Sequence, residues 1–327
     1  DNMISIWDTT SGTPIRNIFN VGGVMSLAIS NDARYVAMIS SLNNEFIIWD
    51  WTSENDEPLF RKELDANPQT FLTFNPENSS ELASNSLHEV IFYHFDDKNL
   101  TVHIPDLPEK DFNKPIGNFS QTAFKTGSTE ALAGSKDGSV TVFDNDGLAE
   151  NGAYKKVLKL VKLIDDPITV VTNFDDLIAV GSKDGAVRFY DSQLRIKNWY
   201  GTFDSGRVDS ISFACNDKNS PESDENIKAM PAESTLNAQP FVVTDFTIST
   251  DESIICHVPA KTNQVKKLLQ EHDDAVKAID THPVSNYIAV GSYCGLLKIW
   301  DYIEKSEVNS RAFGLGNEIT AMSYDKV

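Results

Sequence analysis

Residues Gly134 to Ser139 read GSKDGS, with glycines, serines, a lysine and an aspartate in six positions. Backbone amides beside a lysine are what a phosphate needs. A phosphate loop, however, requires GxxxxGK[ST] opening onto a helix, so that free amides and the helix dipole meet the anion. Here the lysine precedes the second glycine, and the strand-forming run VTVF follows. The stretch is therefore read as turn chemistry, with Asp-Gly supplying the positive φ of a two-residue hairpin.

The remaining reactive side chains form no catalytic pattern. DNDG at Asp144 to Gly147 has the opening of a calcium loop, but Glu150 comes too early for the last ligand of a twelve-residue site. The six histidines, His88, His94, His103, His257, His272 and His282, lie in no recognisable motif. No GxSxG, HExxH or paired-carboxylate signature occurs. Cys215, Cys256 and Cys294 are scattered singly without a CxxC pair, which argues against zinc or a disulfide framework and for a reducing compartment. KKVLKLVKL, Lys155 to Leu163, has the charge of a calmodulin target but no helical stripe, so it is expected as an outer strand. No enzyme activity, cofactor or metal is expected.

What positions these residues is a repeat. GSKDGSVTVFD recurs as GSKDGAVRFYD at Gly181 to Asp191, and related strand ends are NNEFIIWD, DNMISIWD and VGSYCGLLKIWD. Aligned aromatic or histidine positions fall at Trp7, Trp49, Tyr93, Phe143, Tyr190, His257 and Trp300, at intervals of 42, 44, 50, 47, 67 and 43 residues. Within each interval, runs of β-formers alternate with Gly, Pro, Asn and Asp, which predicts four short strands per repeat and no convincing helix.

A period near 40–45 residues ending in Trp-Asp is the WD40 signature, and the chain resembles the WD40-repeat family over essentially its full length. The resemblance implies an all-β, seven-bladed WD40 β-propeller. Six blades would have complete inner strands. Ile4 to Trp7, Ile15 to Phe19 and Ile319 to Tyr324 would make a seventh, shared by the two chain ends and missing one strand. Asp1-Asn2 would be the turn after that strand, with the parent protein continuing at both ends. The whole of 1–327 is expected as one propeller domain, with residues 215–240 an inserted acidic and polar loop.

The family's blades often carry a histidine, turn aspartate, strand serine or threonine, and tryptophan in one buried network. Here Ser135 with Asp137, and Ser182 with Asp184, lack the histidine and tryptophan. His272, Ser292 and Trp300 stand together in another repeat, but Cys294 replaces the aspartate. Degenerate blades held mainly by apolar packing are expected. DNMISIWDTTSGTPIRNIF, FNPENSSELASNS and AVGSYCGLLKIWDYIEKSEVNSRAF are further similar to axonemal WD-repeat proteins, the cilia- and flagella-associated class of the calmodulin- and spoke-associated complex near a radial spoke base. That likeness implies a non-catalytic scaffold, axonemal protein partners, and calmodulin in the same complex without a direct site here.

Composition sets the partner class. With 28 basic and 48 acidic residues the net charge is −20, which disfavours nucleic acid and anionic membrane as partners. No run of 18 apolar residues exists. Partner-binding loops are expected at His103–Gln121, through Pro108, Phe112, Pro115 and Phe119. An acidic set, Glu54, Asp56, Glu57, Asp146, Glu150, Glu222, Asp224 and Glu225, is expected to dock a basic protein surface. The alternatives are a cytoplasmic adaptor or substrate receptor and, from another class, a propeller-fold enzyme.

Overall fold

β-Branched and aromatic residues dominate the runs that become strands, and the computed structural model places 26 strands and one short helix among the described residues. It describes residues 3–8, 11–19, 21–55, 57–145, 154–201, 206–213, 243–259, 265–270, 276–304, 306–314 and 317–324. The first sheet has two strands, β1 (Met3–Asp8) and β2 (Thr13–Phe19). Six four-stranded antiparallel sheets follow in chain order. β3 (Val24–Ile29), β4 (Tyr35–Ser40), β5 (Glu45–Asp50) and β6 (Phe60–Glu63) make one. The next holds β7 (Phe71–Asn75), β8 (Asn78–Asn85), β9 (Val90–Phe95) and β10 (Leu100–His103). After the single helical turn α1 (Glu109–Phe112) come β11 (Phe119–Phe124), β12 (Ala131–Ser135), β13 (Ser139–Asn145) and β14 (Lys155–Lys162). β15 (Ile168–Phe174), β16 (Leu177–Ser182), β17 (Val187–Tyr190) and β18 (Ile196–Tyr200) form the fourth of the six four-stranded sheets. The last two are β19 (Val208–Phe213) to β22 (Lys266–Gln270), with β20 (Phe246–Thr250) and β21 (Ile254–Val258) between, and β23 (Val276–Thr281), β24 (Tyr287–Ser292), β25 (Leu296–Asp301) and β26 (Ser306–Ala312).

Two compact units are distinguished, one of residues 1–202 and 207–211, the other of 203–206 and 212–327. In the first, successive sheets stack face to face through shared apolar clusters. Ala37, Ile39, Phe46 and Ile48 meet Leu72, Phe74, Leu82, Ile91 and Tyr93. Phe92 and Ala83 meet Phe119, Phe124 and Phe143. Leu132, Val140 and Val142 meet Ile168, Val171, Ile178 and Val180. A second or third strand covered on both faces needs apolar residues at consecutive positions, and YVAMIS and EFIIWD are buried almost throughout. A first strand such as FLTFN alternates. In the second unit, Phe246, Ile248, Ile254 and Cys256 are buried on β20 and β21.

Three expectations are corrected. The SKDG turns take their positive φ from glycine as expected, +80° at Gly138 and Gly185, but the connection is longer than two residues, with Lys136, Asp137 and Gly138 joining β12 to β13. Gly138 N donates to Ser135 O at 3.0 Å and Gly185 N to Ser182 O at 3.1 Å, so each is a four-residue turn closed by a left-handed glycine. Ile319–Tyr324 is not a strand. The segment instead lies on its own unit, with Ile319 and Met322 over Gly291 and Tyr324 N donating to Asp280 at 2.7 Å. Trp7, expected as a packed blade aromatic, is 56% exposed, whereas Trp49 is buried at 4%. Asp1 and His272, expected as structural blade positions, lie outside the described residues.

Candidate interaction surfaces

The acidic loop after β5 is held by its backbone. Asp50 accepts from Thr52 N at 3.1 Å and Thr52 Oγ1 at 2.6 Å, and pairs with Arg34 at 2.8 Å. Burial opposes the charge on Asp50, but these donors hold its carboxyl below the usual range. Arg16 reaches from β2 to donate to the carbonyls of Trp51 at 2.5 Å, Ser53, and Asn55 at 3.0 Å. The loop is thus clamped with Glu54 and Glu57 exposed. Asp56, Asp146, Glu150, Glu222, Asp224 and Glu225 lie outside the described residues, as does the 215–240 insertion.

The loop between β10 and β11 is anchored rather than adhesive at its aromatics. Phe119 is 2% exposed and packs on Phe143, so it is a core residue and not a contact for partners. Phe112 is half-buried against the same cluster, Pro108 is half-buried, and Pro115 is exposed. Outward positions include Ile104, Asp106, Lys110, Lys114 and Pro115.

KKVLKLVK is the outermost strand of its sheet, β14, as expected. One lysine departs from the edge-guarding role. Lys155 is 2% exposed, and its ammonium donates to Thr129 O at 2.7 Å and Asn145 Oδ1 at 2.9 Å, beside the rings of Phe92 and Phe124. Burial pushes its pKa down, with Glu81 and Asp144 opposing.

Polar networks survive in altered form. Ser84 Oγ donates to Gln69 Oε1 at 2.7 Å and shares a 2.9 Å hydrogen bond with Tyr93 Oη, while Gln69 Nε2 donates to Asn67 O at 2.8 Å. The network ties Tyr93, the aligned blade aromatic of its repeat, to Ser84 and Gln69, and sequence reasoning missed it because neither Gln69 nor Ser84 belongs to a recognised motif. In the two SKDG turns, Asp137 accepts from Ser135 and Ser139, and Asp184 from Ser182 at 2.5 Å, Ala186 N at 3.1 Å and Arg188 at 2.5 Å. Ser292 lies 2.8 Å from Cys294 Sγ, so the cysteine takes the turn position of the aspartate.

The first unit also holds a cavity of about 510 Å³, lined by the starts of β7, β11 and β15, by the two SKDG turns, and by Arg207 and Asp209. Its basic lining, Lys136, Lys183 and Arg207, was not legible as a group, because two of the three read as ordinary turn residues. Among the described residues no group of three or more His, Cys, Asp or Glu could hold a metal ion, and no helix is long and apolar enough to cross a membrane.

Antiparallel four-stranded sheets repeating along the chain, SKDG turns and Trp-Asp strand ends define the class: this is an all-β WD40 β-propeller protein with seven blades, one of them with two strands among the described residues. A WD domain, G-beta repeat model matches residues 263–301, and the CFAP251 N-terminal domain model matches residues 1–263. The chain belongs to the CFAP251 N-terminal domain family. It is 35% identical over 99% of its length to cilia- and flagella-associated protein 251 of Mus musculus, covering 26% of that protein. Over 95% of its length it is 27% identical to the protein of that name from Chlamydomonas reinhardtii, covering 41% of it. The chain thus spans well under half the length of these relatives.

Proposed function

We propose that this chain works in the cilium or flagellum as a non-catalytic protein-interaction scaffold of the axoneme, seated near a radial spoke base. The observation that carries the reading is the family match over residues 1–263, whose relatives are named as cilia- and flagella-associated from mouse to Chlamydomonas reinhardtii. The architecture supports it: rigid blades stack through apolar clusters and present clamped loops, a pattern suited to holding partners in fixed geometry. Axonemal subunits are the partners proposed, with calmodulin a neighbour in the same complex and not a ligand of β14. The acidic set that includes Glu54 and Glu57 docks a basic protein surface.

Proximity labelling from the full chain in ciliated cells tests the assignment. Axonemal and spoke-base proteins should dominate the labelled set. A set free of axonemal proteins would overturn the scaffold's location and favour a cytoplasmic adaptor or substrate receptor. Charge reversal at Glu54 and Glu57 should weaken capture of basic partners at low salt, and unchanged capture would remove the acidic docking face.

A further inference from the structure

Lys136 and Lys183 occupy the same position in successive SKDG turns, and both face the cavity that Arg207 completes. All three are exposed. The aspartate beside each lysine is engaged within its own turn: Asp137 by Ser135 and Ser139, Asp184 by Ser182, Ala186 and Arg188. Among the described residues neither lysine makes an ion pair or hydrogen bond through its ammonium. Arg207 is partly neutralised, its Nε donating to Asp209 at 2.8 Å, and Asp209 is the single carboxylate on the lining.

Three cations against one carboxylate make a positive mouth on a chain whose net charge is −20. Long-range repulsion from the rest of the surface works against this concentration, so its field is local and selects for an anion that enters the cavity. The wall adds neutral hydrogen-bonding capacity. Ser120 Oγ is committed to Gly134 O at 3.1 Å and Thr169 Oγ1 to Val208 O at 2.5 Å, which fixes the wall, while the Gln121 amide has no protein partner among the described residues. Ammonium, guanidinium and amide donors together suit carboxylates presented at several points. At about 510 Å³ the cavity accommodates several side chains of an extended segment and exceeds what one small ion needs.

We propose that this cavity is a docking site for an acidic peptide segment of a protein partner, with Lys136, Lys183 and Arg207 pairing with its carboxylates and Gln121 donating to one of them. The site is distinct from the acidic loops, and it stands whether or not the partner is axonemal.

The test uses the purified full chain and a fluorescein-labelled peptide of alternating glutamate and glycine, followed by fluorescence anisotropy at about 20 mM and about 300 mM salt. The combined variant Lys136→Gln, Lys183→Gln, Arg207→Gln is compared with Lys62→Gln, Lys98→Gln, Lys266→Gln. Both lower the net charge by the same amount, but the second set lies outside the cavity. Binding at low salt should weaken about tenfold or more in the cavity variant and stay unchanged in the control, with matching thermal melts. No binding by the unmodified chain overturns the proposal, as does an equal loss in both variants. A phosphoserine peptide that binds where the glutamate peptide does not would also overturn it, in favour of a phosphate reader.

Discussion

The side chain of Ile168 closes directly over Gly134, the second glycine-bearing strand of one sheet receiving the first strand of the next. A Cβ on Gly134 would stand 2.7 Å from Ile168 Cγ2 and 2.6 Å from Val171 Cγ2. The relation repeats where Val208 lies over Gly181 and where Ile319 and Met322 lie over Gly291. The glycine of each GS pair is therefore a packing device that sets how closely one element approaches the next.

Gly134→Ala should accordingly destabilise the first unit by about 1–3 kcal/mol, since both contacting atoms belong to buried β-branched side chains. The added volume has only stiff neighbours to displace. Gly134→Ala combined with Val171→Ala should recover part of the loss. Urea unfolding monitored by tryptophan fluorescence measures both, and a fully additive double variant would show that the clash lies elsewhere.

Acid should weaken the SKDG turn between β16 and β17. Burial raises the Asp184 pKa, but hydrogen bonds from Arg188, Ser182 and Ala186 N outweigh it and bring the carboxyl to about 2. The folded pKa lies below the unfolded value of about 3.9, so the contribution is complete above about pH 4 and is lost as pH falls from there through about 2. The Asp184 side chain is 23% exposed, and partial solvent screening should hold the effect at neutral pH to about 1–2 kcal/mol. Asp184→Asn should narrow the stability gap between pH 6 and pH 3, read from urea midpoints at each pH.

Lys155 predicts a change of the opposite kind. Burial depresses its folded pKa below the ordinary lysine value, so its proton is bound less tightly in the folded chain. The penalty is full below the folded pKa and disappears as pH rises through the window up to the unfolded value of about 10.4. Stability of the unmodified chain should therefore rise in alkali relative to Lys155→Met. Lys155→Ala should be worse than Lys155→Met by about 1–2 kcal/mol at pH 7, because it also leaves a void beside Phe92 and Phe124. Chemical denaturation across pH 7 to 10 supplies the comparison.

The Gln69, Ser84 and Tyr93 network should behave as one unit. Tyr93 is wholly buried and stacks on Phe46 with ring centres 4.3 Å apart. Removing its hydroxyl in Tyr93→Phe leaves Ser84 one partner short and should cost about 1–2 kcal/mol. Adding Ser84→Ala should cost less than the two single changes together, and a double-mutant cycle detects that coupling.

Period, turn chemistry and strand type were legible because they are local. A Trp-Asp strand end, a glycine at positive φ and an alternating or continuous apolar run each follow from a few adjacent residues. Those signals place β3 to β26 in six four-stranded sheets and β14 as an outer strand without knowledge of any neighbour. What the tertiary structure decided is how side chains on different strands and turns meet. It buried Phe119 in the core that sequence had offered to partners, and it sank Lys155 against carbonyls 10 and 26 residues away. It joined Gln69, Ser84 and Tyr93 in one buried polar network. It also gathered Lys136, Lys183 and Arg207 around one cavity. Each depends on which side chains strand pairing and sheet stacking bring together, and those partners lie too far along the chain for adjacent residues to reveal them.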